Sequence, residues 1–588
     1  KLLALFFAMA LSMTAVAGCT GIKSSTGNVV SSETETNAEE TSAQSEAGTF
    51  SSADMFTERD LAGTYEESGA VYVTLSDDGI AGETDGVVID GQMVTITAEG
   101  TYIFSGTLSE GQIVVDADNA KVQIVFDNVD ITCASSAAVY VKSAEKVFVT
   151  LAEGSQNTLR NTDEYVAIDD NNIDAVIFAK SDLTLNGTGS LTIISAEGHG
   201  IVSKDDLKII GGTYDITAAG HALSGKDSVR IADGTFILTA EKDGIHAENA
   251  DDEEKGYIYI ADGDFTITSD GDGMDASNIV QIEDGTLDIT AGGGSANSLK
   301  THESDVPGGP GGGMPQNGEK LDGESMPQMG EKPDGENMPQ DTTTDESGTS
   351  TKGIKAGGGM YLNGGTYQID SADDSIHSNA NITIADGTYT LATGDDGVHA
   401  DDALIVNGGT ITVTESYEGL EGLAVTINDG TIDITASDDG INTAGEKMEL
   451  NGGYIHILAG GDGVDSNGDL TINGGEIYID GPSDNGNSAI DYGDRSSAYV
   501  NGGTLVAIGS SGMAEVMSDS SKQKVLMVKL GEQMEAGNVV LTDSEGNVIV
   551  SYTALKTYDC VIISTAEVES GATYTLTTSG TTTEVTAE

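Results

Sequence analysis

The chain has no tryptophan, three cysteines and seven prolines in 588 residues, and only 25 lysines and arginines against 97 aspartates and glutamates. Each shortage excludes something. So few cysteines over such a length exclude a disulfide-built scaffold, and Cys133 and Cys560, each inside an apolar alternating run, are expected as buried free thiols. A formal charge of −72 excludes nucleic acid as a partner, because such a surface repels polyphosphate. Without tryptophan, only tyrosine and histidine remain as stacking platforms for neutral sugars. No apolar run is a good membrane span. The stretch from Leu2 to Val16 is too short for one and reads as a secretory signal over residues 1–18.

What the chain has in abundance is a repeat. Residues 425–443, VTINDGTIDITASDDGINT, contain two apolar alternations (Val425/Ile427 and Ile432/Ile434) split by Asn428-Asp429-Gly430, then an acidic turn and a third inward residue, Ile441. The phrase recurs from 207 (LKIIGGTYDIT), 229 (VRIADGTFILT), 258, 280, 360 (MYLNGGTYQID), 382, 404, 448 and 470 (LTINGGEIYID). Period-two runs of Ile, Val, Thr and Tyr suit strands and exclude helices, and Gly-Gly or Asp-Gly supplies positive φ at corners. A repeat of about 22 residues that makes three strands and three corners stacks as a solenoid, each strand pairing in parallel about 4.8 Å above its counterpart. The expected fold is therefore all-β, a right-handed parallel β-helix over residues 54–520. Asn363, Asn407, Asn428, Asn451, Asn473 and Asn501 fall at one corner, where amides can stack into a ladder.

Outside the repeat, Ala15-Val16-Ala17-Gly18-Cys19 resembles a bacterial lipobox, so Cys19 is the expected lipidation site, and acyl chains there are the only expected membrane contact. Residues 20–53, poor in anything to bury, read as a disordered tether, and the extreme N-terminal part of the folded region is expected to cap the core. Residues 303–350 hold six of the seven prolines and read as a disordered insertion inside one coil. Residues 521–588 read as a small antiparallel module of five or six strands capping the last coil. The chain is expected to act as a monomer on the outer face of the membrane, facing the cell wall.

Aligning the repeats at their third corner puts Asp243, Asp272, Lys352, Asp374, Asp396, Glu418, Asp439 and Asp462 on consecutive rungs. His246, Asp275, Lys355, His377, His399, Glu421, Asn442 and Asp465 follow three residues later. Asp270, Asp373, Asp395, Asp401, Asp402 and Asp438 crowd the same edge. Carboxylates about 4.8 Å apart repel by roughly 1 kcal/mol in water and several times more at an effective dielectric of about 20, so a neutralising ion is expected. Ca²⁺ suits oxygen donors in flexible geometry, and Gly460-Gly461-Asp462-Gly463-Val464-Asp465 opens like a GGxGxD calcium repeat. The expected metal residues are Asp243, Asp270, Asp272, Asp275, Asp373, Asp374, Asp395, Asp396, Asp438, Asp439, Asp462 and Asp465. His246, His377 and His399 are zinc ligands by type, but their oxygen-rich surroundings favour the hard ion. Lys352 and Lys355 are either internal countercharges or contacts to a sugar carboxylate. As bases for β-elimination they are weak candidates, because a field of carboxylates raises their pKa.

The lipobox, the acidic rungs of the form hxhNGGTxxIxAxxDDGIHA, the GIKA rung after the insertion and the terminal module together resemble a family of Gram-positive surface proteins called carbohydrate-binding domain-containing. The resemblance covers roughly residues 54–585. It implies a right-handed β-helix similar to pectate lyases, Ca²⁺ along the helix, and binding of plant cell-wall polysaccharides, acidic ones included, without established catalysis. Glu418/Glu421 and the His199 and His221 rungs depart from the pattern. The first expectation is a non-catalytic, Ca²⁺-loaded surface lipoprotein that binds acidic glycans such as polygalacturonate, with Lys352, Lys355, His377 and His399 as sugar contacts. The alternatives are a pectate-lyase-type polysaccharide lyase and a structural adhesin. None of the four arginines lies in the acidic turn to serve as a lyase base.

Overall fold

A computed structural model describes residues 49–300 and 350–587, apart from 83, 84, 167, 168, 253, 446 and 494. The signal segment, Cys19, the tether up to residue 48 and nearly all of the 303–350 insertion lie outside the described residues. The rest is a parallel β-helix followed by an antiparallel module.

Each coil is built as the repeat dictates. In one coil, Met448–Leu450, Tyr454–Ala459 and Val464–Ser466 alternate buried and less buried positions. The next coil pairs with it in parallel and in register: Met448 with Leu470, Ile455 with Ile477, Val464 with Ile490. Inward Ile, Val, Leu and Met at these positions are fully buried, each worth about 1.5–3 kcal/mol on removal from water. Aromatic residues stack at one inward position of the long strands, Tyr214 on Phe236 on Phe265 and Tyr367 on Tyr389. The ladder is continuous across the insertion, because Met274 pairs with Ile354 and Thr286 with Thr366. The Asn corner behaves as its chemistry allows. Asn428, Asn451, Asn473 and Asn501 each donate a side-chain N–H to the amide oxygen of the Asn one rung before, starting at Asn407, at 2.8–2.9 Å. Asn363 does not join them. The intervening rung carries Ala385, and Asn363 instead donates to Glu283 at 3.0 Å.

The residues ahead of the first strand lie against the outside of the coils. They run along one flank: Phe50 exchanges hydrogen bonds with the Gln281 side chain, Arg230 donates to the Met55 carbonyl, and Gln123 donates to the Thr64 carbonyl. Two short helical turns, Ser52–Met55 and Glu58–Leu61, lie within this strap, the second held by a Thr57/Asp60 capping box. Asp60 is fully buried and pairs with Lys146 at 2.6 Å. Burial alone would raise its pKa, but Lys146 and Thr57 overcome that and hold it at about 2. At the other end Tyr558–Ser564 pairs antiparallel with the last long strand, Thr504–Gly509, and with Val525–Met534, while Gly537–Thr542, Val548–Ala554, Thr573–Thr577 and Thr582–Thr586 form a second sheet. The module thus covers an edge strand that would otherwise expose unpaired backbone groups. Cys133 and Cys560 are free and buried.

Candidate functional site

The third corner is in the register read from the repeats. Ile245, Met274, Ile354, Ile376, Val398, Leu420, Ile441, Val464 and Ile490 form one column. The residue two places before each is therefore stacked from Asp243 to Asp462, with Ser488 beyond. The residue one place after is stacked from His246 to Asp465, with Asp491 beyond. Leu223 extends the column upward and brings in His221.

The first column has a backbone task that sequence reasoning missed. Oδ1 of each corner aspartate accepts the amide N–H of the corner residue on the next rung: Asp243 from Asp272 at 2.9 Å, Asp272 from Lys352 at 2.7 Å, Asp374 from Asp396 at 3.2 Å, Asp396 from Glu418 at 3.3 Å, Asp439 from Asp462 at 2.6 Å. Asp462 accepts from Ser488 in the same way. His199 and His221 do it with Nδ1, at 2.9 and 3.2 Å. A short side chain with an acceptor is what the corner needs, since a buried N–H without a partner costs about 1–3 kcal/mol. Lys352 cannot accept, and there Asp373 takes over, accepting the Asp374 amide at 2.9 Å.

The second carboxylate oxygen is free to meet a cation, and the rungs differ in what they offer it. From Asp272 to Glu421 the protein supplies its own, except at Glu418, which accepts from the Asn442 side-chain amide at 2.9 Å. Lys352 lies 2.7 Å from Asp374 and 2.9 Å from Asp373, and Lys355 lies 3.4 Å from Asp272 and 3.3 Å from Asp275. Lys300, at the edge of the insertion and not anticipated from sequence, lies 2.7 Å from Asp373 and also contacts Asp395. His377 and His399 face Asp374 and Asp396 at 2.8 and 3.0 Å, and His399 also faces Glu421 at 3.2 Å. Burial opposes the charge on Lys300, Lys352 and His399, but the surrounding carboxylates prevail. The lysines are raised above their ordinary values and His399 is pushed up to about 10. Both Lys352 and Lys355 are thus engaged as internal countercharges.

The rungs beyond have no such cation. Among the described residues no Lys, Arg or His pairs with Asp438, Asp439, Asp462, Asp465 or Asp491. One oxygen each from Asp439, Asp462 and Asp465 lies within 4.8 Å of the others. Burial, then neighbouring carboxylates, push Asp439 up to about 8, while Asp465 rises to about 6 through burial and Asp491. Asp462 rises to about 7, with burial and Asp491 outweighing the Ser488 amide. The glycines of the GGDGVD stretch make room for this cluster, because a Cβ on Gly461 would lie 2.2 Å from Asp438 Oδ1 and 2.4 Å from Asp439 Oδ1. An all-oxygen donor set, Asp462 buried and Asp439 and Asp465 half-buried, without an internal cation fits Ca²⁺, with remaining positions open to carbonyls or water. Among the other expected ligands, Asp270 is exposed, as are Asp401 and Asp402, the further acids that crowd this edge.

A second surface feature lies on the long-strand face. Tyr454, 42% exposed, adjoins Tyr478, which stacks on Tyr552 of the C-terminal module. Tyr552 donates to the fully buried Asp480. The partner of Tyr478 comes from another domain element, so no repeat alignment reveals the group.

The fold and this corner define a class: a parallel β-helix whose stacked acids are neutralised partly by its own side chains and partly left open. A family model described as carbohydrate-binding domain-containing protein matches residues 90–397 and 395–524, and the chain belongs to that family. It is 40% identical over 139 residues to a carbohydrate-binding domain-containing protein of Acetivibrio thermocellus, which is 23% of this chain and 49% of the relative. The chain thus spans about half the length of the curated relative it matches. A solved structure, the polysaccharide lyase-like protein from C. thermocellum (gadolinium derivative), is 36% identical and covers 38% of this chain and 92% of its own, with a TM-score of 0.37.

Proposed function

We propose that this protein is a non-catalytic polysaccharide-binding protein in which Asp439, Asp462 and Asp465 hold Ca²⁺, and that the ion bridges to the carboxylates of an acidic glycan such as polygalacturonate. The observation that carries the reading is the run of largely buried carboxylates on these rungs with no side-chain cation, next to rungs where every corner aspartate has one. A bridge is required because a chain of charge −72 repels an anionic polymer. Family membership supports the carbohydrate part. The lysines do not support lyase chemistry: proton abstraction needs a neutral amine, and Lys352 and Lys355 are raised by the acids around them against the effect of burial. Anchoring through lipid on Cys19, with the β-helix facing the cell wall, completes the proposal.

Pull-down on immobilised polygalacturonate tests it. Retention in Ca²⁺, release in chelator and loss in Asp439→Asn/Asp462→Asn are expected, and unchanged retention in chelator overturns the calcium bridge. Incubation with polygalacturonate and Ca²⁺ should give no unsaturated product in the ultraviolet, and its appearance overturns the non-catalytic assignment.

A further inference from the structure

Away from the acidic corner, the outward face of the long strands carries an aromatic group that the calcium site does not use. The first outward position of these strands forms one column in register from Thr213 to Thr504. It holds threonine on most rungs, Asp264 and Glu476 on two, and a single aromatic, Tyr454. Threonine suits an exposed strand position, whereas Tyr454 leaves 42% of its surface in water. Its neighbours are aromatic too. Tyr478, diagonal to it on the next rung, lies 5.7 Å away between ring centroids at an interplanar angle of 43°, and stacks in turn on Tyr552 at 5.2 Å and 12°. Tyr552 is pinned by the fully buried Asp480, which accepts its hydroxyl proton and also the Leu555 amide at 2.9 Å.

Beside Tyr454 runs a trough whose floor is the corner glycines Gly430, Gly453, Gly475 and Gly503, all at positive φ. A Cβ on any of them would lie 2.6–3.1 Å from a carbonyl oxygen of the rung before, so coil packing keeps the floor free of side chains. Three rung spacings make it about 14 Å long, which fits a polymer segment better than a single sugar. Asp429 and Glu476 stand exposed along it, and none of the residues that line it is basic.

We propose that Tyr454 and this trough form a calcium-independent subsite for neutral pyranose residues of a polysaccharide. A pyranose ring has a face of C–H groups, which packs on an aromatic ring, and a rim of hydroxyls, whose protons the exposed carboxylates of Asp429 and Glu476 accept. The same carboxylates repel a sugar acid, and no basic side chain lines the trough to hold one. The neutral ring is therefore the one selected. Because the contacts among Tyr454, Tyr478 and Tyr552 order the aromatic group before binding, little side-chain freedom is lost when a sugar stacks on it. The subsite presupposes a polysaccharide ligand, as proposed above, but not the calcium bridge.

The full chain, in chelator, is run in native gels containing galactan, xylan, glucomannan or mixed-linkage β-glucan, with retention on polygalacturonate in Ca²⁺ measured in parallel. At least one neutral polymer is expected to retard the protein. Tyr454→Ala, at an exposed position and with an unchanged thermal melt, should raise the polymer concentration for half-retardation about 10-fold. Tyr454→Phe should keep the wild-type value, and so should Asp439→Asn/Asp462→Asn. No retardation by any of the four polymers, retardation that needs Ca²⁺, full retardation in Tyr454→Ala or its loss in Tyr454→Phe overturns the subsite. Continued retention on polygalacturonate in Ca²⁺ would then leave the calcium bridge standing, whereas binding to neither class of polymer removes the polysaccharide reading as well.

Discussion

Two neighbouring stretches of one column, the rungs from Lys352 to Glu421 and those from Asp438 to Asp491, have the same backbone, the same register and similar acid density, yet differ in their countercharges. In the first, ammonium or imidazolium groups sit 2.7–3.2 Å from acids of the edge. In the second there is no such group among the described residues, and burial and mutual repulsion drive all three clustered aspartates toward protonation, as they do in the first only for Asp395, Glu418 and Glu421. A corner acid is therefore no metal ligand merely by position. Oδ1 of every corner aspartate serves the next rung's amide, and only the partner of its other oxygen distinguishes a self-neutralised rung from an ion site.

The largest effect should come from breaking the self-neutralised half. Lys352→Met leaves the almost fully buried Asp374 without its ammonium partner and should cost about 3–5 kcal/mol in urea denaturation, with partial recovery in Ca²⁺ as an ion replaces the lysine. In the open half, Ca²⁺ at about 100 times its Kd should stabilise the protein by about 2.7 kcal/mol, and Asp439→Asn/Asp462→Asn should abolish that gain without destabilising the chelator-treated protein.

Acidity sharpens the contrast. Asp439, Asp462 and Asp465 are raised above an ordinary value of 3.8, so the folded chain holds protons there more tightly than the unfolded one. Metal-free protein should be most stable below about pH 4 with respect to these groups and should lose that stability as pH rises through about 6 to 8. Thermal melts with and without Ca²⁺ check this, since the ion should remove the decline. Asp60 has the opposite sign, lowered to about 2, so its contribution of about 2.5 kcal/mol is present above pH 4 and lost as pH falls through 2. The smallest effect is expected at the Asn corner, where Asn451→Ala removes two exposed amide contacts, about 1 kcal/mol, and should leave Ca²⁺ binding unchanged.

Most of the column was legible because a single inward residue per rung, such as Ile441 or Val464, fixes the phase of everything around it. The insertion did not hide the register, since Lys355 and Asp275 align once Ile354 is matched to Met274. What stayed hidden came from outside the period. Lys300 belongs to no repeat position and reaches Asp373 and Asp395 from the edge of the insertion. Asp491 follows a lengthened coil in which Ser488 replaces the corner acid. The strap of residues 50–64 lies on strands whose outward Gln281, Arg230 and Gln123 look like ordinary surface residues in the sequence.

Taken alone, the order of residues determined that the chain coils, which side chains point inward, and which acids share a column, because a fixed period of alternating apolar residues admits only one stacking. The tertiary structure decided the partner of each acid's second oxygen, whether lysine, imidazole or none. That choice depends on groups brought in from other rungs and from outside the repeat, and on the degree of burial, which sets how strongly an unpaired charge is penalised.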